Sequence, residues 1–211
     1  MISKVEGLLN SSARKAVAVF AVPALLLAAT VAHADDMEVR SAPLGVSVGI
    51  GGGLAPAHRA CAGANPNGCD RLSFGHKVYV GYDITNDVTA QVSYLYFNGV
   101  NRDWDNSQNA TVGRERITSR AWGVGFDWHI ELLHTVTNHL RAGVGRMETR
   151  QNNFLRNGTE TETASFKVAP FVGAGLGIPL NEYFSVDASF DYFFAGSQSR
   201  HLLYIGANAS Y

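Results

Sequence analysis

Beyond Ala29 the chain has no apolar stretch approaching the roughly 20 residues that a membrane-crossing helix needs, so any later span must be built from strands. A surplus of charge is also missing: 17 Lys and Arg stand against 18 Asp and Glu. Without a basic surplus to collect phosphates, no nucleic-acid partner is expected. Cysteine is nearly absent. Cys61 and Cys69 both fall in "CAGANPNGC", with only His58 nearby as a further ligand, so no metal site is expected there and no cofactor anywhere.

What the N-terminus does have is the layout of an export signal. Lys4, Arg14 and Lys15 precede an apolar run over residues 16–29, and "VAHA" places Ala32 and Ala34 ahead of Asp35. That is a cleavable signal peptide, residues 1–34, with an exported domain over residues 35–211. Cleavage leaves 14 basic and 17 acidic residues, a net charge of −3. An exported chain meets an oxidising compartment, so Cys61 and Cys69 are expected to form a short-loop disulfide.

The remainder alternates with period two, the signature of half-exposed strands. Eight such segments can be read. Leu44, Val46, Val48, Ile50 and Leu54 share a face in the first, opposite Ser47, Gly49, Gly51 and Gly53. The second sets Phe74, Val78, Val80 and Tyr82 against Lys77 and Gly81, and the third runs from Val88 to about Phe97. Trp122, Val124, Phe126 and Trp128 mark the fourth against Asp127 and His129; the fifth is short, around Leu140, Ala142 and Val144. The sixth is "ASFKVAPFVGAGLGI", the seventh "FSVDASFDYFF" and the eighth "LYIGANASY". Short connections near 85–87, 131–138 and 179–182 alternate with long polar ones near 55–70, 98–115, 148–163 and 195–200.

Short turns on one side and long loops on the other describe an outer-membrane barrel. Each greasy face is continuous over about five residues, enough for an apolar band about 25 Å tall. The opposite faces mix glycine, serine and charge and could not form a soluble sandwich core. Aromatics gather at strand ends, with Phe74, Tyr94, Tyr96, Phe166, Tyr192 and Phe194 towards the long loops. Tyr82, Trp128, Phe184 and Tyr211 lie towards the short turns. The expected fold is all-β: an eight-stranded antiparallel up-and-down transmembrane β-barrel, polar inside, in the cell outer membrane.

The signal peptide, eight amphipathic strands and terminal aromatic strand resemble small outer-membrane barrels of the OmpA/OmpX type, across essentially the whole exported chain. In "YIGANASY", Gly206 and the terminal Tyr211 look like the family's C-terminal signal for the barrel-assembly machinery. The resemblance implies a monomer with a structural or surface-interaction role.

Inward-facing Lys77, Asp127, Arg141, Lys167, Asp187 and Asp191 include both signs, as a buried paired network requires. Folding the 131–138 hairpin brings Asp127 opposite Arg141, and the last hairpin brings Asp187 near Asn208. A plugged, self-neutralised lumen is expected, with a narrow porin-like channel as the alternative. Arg71, Arg114, Arg116, Arg120, Arg150 and Arg200 fall at the long-loop side. There a planar fork suits lipopolysaccharide phosphate, and the long loops could meet a host or other surface ligand.

Catalytic signals are weak. Lipid A deacylases pair His with a Ser two residues later, whereas Ser199 precedes His201 here and no acid is near. His58, His76, His129, His134 and His139 are scattered and read as structural. Asp103, Asp105 and Ser107 suggest a calcium loop, but Gln108 replaces the needed glycine and Arg114 the last acid. The "GIGGG" and "GAGLG" runs line strands with no helix following, so they are no dinucleotide loop. No enzyme activity is expected.

Overall fold

The computed structural model describes residues 45–56, 61, 68–105, 111–133, 136–155 and 158–211. The expected signal peptide lies outside these residues. The chain forms eight antiparallel strands: β1 (Val46–Pro56), β2 (Leu72–Thr85), β3 (Val88–Asp105), β4 (Thr111–Leu133), β5 (Val136–Leu155), β6 (Glu160–Pro179), β7 (Phe184–Phe193) and β8 (Arg200–Ser210). Each pairs with its neighbours in sequence, and β1 pairs with β8 to close the ring. At the seam, Val46 and Tyr211 exchange two backbone hydrogen bonds of 3.0 Å each. Within the ring every strand is paired on both sides, up to Phe97 on the β2 side of β3 and Phe171 on the β7 side of β6, as a sheet in hydrocarbon requires.

Faces follow the alternation. Ile50, Val80, Val124, Val168 and Ile205 point outward and are exposed, whereas Lys77, Gln91, Asp127 and Asp187 point inward and are buried. This is a soluble protein's arrangement inverted, and it suits a lipid solvent. Glycine gives the interior its room. A side chain at Gly49 would collide with the Tyr79 ring, and one at Gly173 with the Asp191 carboxylate.

Two hairpins correct the sequence reading. Residues 98–115 and 148–163, expected as long loops, are mostly strand. The β3–β4 pairing continues to Asp105↔Thr111 and the β5–β6 pairing to Phe154↔Glu160. β5, expected to be short, has 20 residues. Neither face meets hydrocarbon at this level, so apolar alternation disappears while the backbone ladder continues. A bulge between Phe97 and Val100 adds to the disguise: both side chains point inward although they are three apart.

Strand lengths then set the shape. At about 3.3 Å per residue and a tilt near 40°, the 11 residues of β1 rise about 28 Å, just enough for the apolar band. By the same measure, the 23 residues of β4 rise about 58 Å. The β3–β6 sheet therefore projects well past the membrane on the long-hairpin side. The disulfide forms as expected between Cys61 and Cys69. Its second arm is fastened to the projection: Asp70 N–H donates to Asn101 O and Asp103 N–H to Gly68 O.

Candidate functional site: a layered lumen and a basic outer wall

The lower lumen, nearer the short turns, is charged. Lys77 Nζ donates to Asp191 Oδ2 at 2.7 Å and to Tyr204 Oη at 3.2 Å. Arg141 Nη1 donates to the same Tyr204 oxygen at 2.5 Å, and its Nε lies 3.4 Å from Asp191 Oδ1. Asp191 thus sits between two cations, with Tyr204 held by both. Lys77 and Asp191 are both almost fully buried. Charges so far from water persist only when each has a partner in good geometry.

Beneath this lies a second cluster. Asp127 is opposite Arg141 as expected, yet Asp127 Oδ2 is 3.3 Å from His139 Nδ1. His139 Nε2 lies 3.7 Å from Asp187 Oδ1, so one imidazole stands between two carboxylates. Asp187 Oδ2 accepts from Tyr79 Oη at 3.4 Å, while Asn208 faces Ser185 and Gly49 rather than Asp187. His129 is directly opposite His139, with ring centroids 5.0 Å apart. Asp127, His129 and His139 each offer a metal-ligating atom, all within 4.8 Å of one another. The scattered histidines of the sequence are therefore not all isolated. The hairpin that sets 127 against 141 also sets 129 against 139, and that signal was available.

The upper lumen is apolar. Leu95, Phe97, Met147, Phe171, Phe193 and Leu202 are each at most 3% exposed. Phe171 and Phe193 stack with centroids 5.0 Å apart. These residues lie just above the charged layer: Phe193 is two beyond Asp191, and Leu202 two before Tyr204. Sequence reasoning missed them because they occupy the face that is polar elsewhere on their strands. Lys167, expected in the polar network, lies above this layer at the mouth and donates to Ala195 O at 3.4 Å.

The expected arginine rim divides. Arg116, Arg120 and Arg150 line one groove on the outward wall of β4 and β5 together with Glu148 and Glu162. Glu148 joins Arg120 and Arg150, each at 2.6 Å, and Arg150 also reaches Glu162 at 3.4 Å. These arginines hold the Glu148 carboxyl below its usual range, the hydrogen bond from Arg150 contributing most. Arg146, absent from the sequence expectation, lies two residues below Glu148 with its guanidinium 4.5 Å from the Phe166 ring centroid. Arg114 is higher and pairs with Asp103 at 3.0 Å. Arg71 precedes β2, away from the groove. Arg200 is a correction: it shares the inward face of Leu202 and Tyr204, and its Nε lies 3.4 Å from Ser119 Oγ at the mouth. Ser199 Oγ donates to Gly196 O at 2.8 Å, and His201 stacks on Tyr192. Gly206 lies opposite Gly51, and Tyr211 is exposed at the short-turn end.

The closed ring of eight strands with its apolar belt has counterparts among known proteins. The model of the outer membrane protein beta-barrel domain matches residues 20–209. The chain belongs to that family. Its place is the outer membrane, and its barrel is of the small OmpA/OmpX type. Neisserial surface protein A has a similar structure, with TM-score 0.52, 15% identity and coverage of 78% of this chain and 96% of that one. The attachment invasion locus protein Ail of Yersinia pestis gives TM-score 0.49 at 16% identity, covering 79% and 97%. The N-terminal barrel of Pseudomonas aeruginosa OprF gives 0.46 at 15%, covering 78% and 97%. No curated protein sequence matches the chain.

Proposed function

We propose that this barrel works by surface contact: it holds lipopolysaccharide phosphates on its outer wall and displays the β3–β6 projection to other surfaces. It acts as a monomer, without transport or chemistry of its own. One observation carries the reading. On the outward wall Arg146 is level with Trp122, Arg120 is one outward position higher and level with Phe166, and Arg150 and Arg116 are two and three outward positions above Trp122. An aromatic girdle marks the level where hydrocarbon ends, and lipid A phosphates lie at that level. Arg116 and Arg146 form no ion pair with any described carboxylate, so two positive charges remain for an outside anion.

Binding of purified, folded protein to lipopolysaccharide and to its enzymatically dephosphorylated form tests this. Phosphorylated lipopolysaccharide should be retained more strongly, and added salt should weaken retention because the charges are exposed. Replacing all four arginines by Ala should abolish the difference while leaving the barrel folded. Equal binding of the two forms by the native protein would overturn the reading. Against a channel stands the apolar layer that fills the upper lumen. An unchanged lipid A mass spectrum from expressing cells is expected of a non-catalytic barrel. Through Gly206 and Tyr211, the last strand would engage the assembly machinery.

A further inference from the structure

We propose that the short-turn end of the lumen is a binding site for one transition-metal dication of the zinc type, ligated by His129, His139 and a carboxylate from Asp127 or Asp187. Three observations, independent of the outer wall, converge here. First, charge does not balance. Among the described residues, the buried carboxylates Asp127, Asp187 and Asp191 face two buried cations, Lys77 and Arg141. Half-buried Asp83 adds a further negative charge through Thr89, which donates to it. With both imidazoles neutral the buried groups alone leave one uncompensated negative charge, and the half-exposed Asp83 beside them adds a second. A dication cancels them.

Second, acceptor atoms are waiting. Asp127 Oδ1 and Asp187 Oδ1 are buried and have no hydrogen-bond partner among the described residues, an unfavourable state for a carboxylate oxygen unless something else satisfies it. Both residues are more than nine-tenths buried and flank the histidine pair.

Third, hydrogen bonds prepare the rings. The Thr89 hydroxyl donates to Asp83, so at 3.0 Å it accepts from His129 Nε2–H. In the neutral ring, His129 Nδ1 then keeps its lone pair for a metal. His139 has a carboxylate facing each nitrogen. Whichever nitrogen takes the metal, the other is oriented by a carboxylate, the usual arrangement around zinc-bound histidine.

The ligand atoms are spread over up to 4.8 Å, against about 3.4 Å between ligands in a tetrahedral zinc site. Side-chain rotation on two adjacent strands can close that gap. Two imidazoles and one or two carboxylates suit zinc-type ions, whereas calcium and magnesium want oxygen ligands throughout. Both rings keep some exposure, which leaves an entry path from the short-turn side.

The test uses the folded full-length barrel in detergent, stripped with chelator, and titrated with Co2+ and then Zn2+. Binding of about one Co2+ per chain should give a visible ligand-field band that Zn2+ bleaches. The His129→Gln/His139→Gln variant should lose at least about tenfold in affinity, and the His76→Gln/His201→Gln variant should lose none. Equal binding by the native protein and the His129/His139 variant would overturn the proposal, as would loss of binding in the His76/His201 variant. Should the first variant fail to fold, ring-nitrogen NMR of the native barrel decides. Zn2+ must perturb His129 and His139; perturbation of neither contradicts the site.

Discussion

The two halves of the lumen fill the same cylinder by opposite means. Above, Phe171 packs over Gly123 and Gly143, where added Cβ atoms would meet its ring at 3.0 and 2.7 Å. Below, Gly173 leaves room for Asp191 and Gly49 for Tyr79. Glycine is the common spacer; what it makes room for differs. The upper layer is held by burial and contact, and losing one member leaves a hole. The lower layer is held by partners, and losing one member leaves a charge. In a barrel whose outside is already apolar, the inside has no single required chemistry.

That contrast can be broken most severely at Lys77. In Lys77→Met, Asp191 keeps only Arg141, and breaking so buried a pair should cost about 3–5 kcal/mol in urea titration of the lipid-embedded barrel. Adding Asp191→Leu should recover part of the loss, because the orphaned charge goes with it. In the upper layer, Phe193→Ala should cost about 3 kcal/mol, the low end for a Phe truncation, since stacked Phe171 can relax into the space. A second apolar truncation beside it should add further cost with no charge to rescue. A smaller effect is expected outside the barrel. Ala188 faces lipid between Leu176 and Ile205, and Ala188→Arg should cost about 2 kcal/mol, towards the low end of the range for a lipid-facing cation.

The smallest effect belongs to Glu148, where arginine holds the carboxyl below its usual range. A depressed acid stabilises the fold above its unfolded pKa, near 4.5, and that contribution is lost as pH falls through the lower folded value. Protonation also frees Arg120 and leaves Arg150 only its 3.4 Å pairing with Glu162. Lipopolysaccharide retention should therefore rise on acidification below about pH 4.5, the ordinary range of a glutamate, with the barrel intact. Glu148→Gln should bind more strongly at neutral pH and lose that response.

How far the sequence discloses this molecule depends on where each strand meets hydrocarbon. Val46 to Leu54 and Phe184 to Phe194 alternate cleanly because one face meets lipid, so fold and facing follow from the residues. Val100, Ile117 and Asn152 lie where both faces meet water or protein, and a bulge reverses the parity of β3. Alternation has no meaning there, and the strand reads as loop. Inside the barrel, counting across the β4–β5 hairpin places Asp127 beside Arg141, but the intrusion of His139 depends on side-chain direction. Phe171 and Phe193 were hidden by the expectation that an inward face must be polar. Arg200 was assigned by its nearness to a loop, whereas parity with Tyr204 turns it inward.

Two filled layers together should seal the barrel. Conductance of the folded native protein in a planar bilayer tests it most directly, with refolding verified on the same preparation by the shift between heated and unheated bands on a denaturing gel. The account predicts a flat baseline, with no unitary steps across a wide range of voltage. Discrete, reproducible steps from the native protein would show an open path through Phe171 and Phe193, and would contradict it.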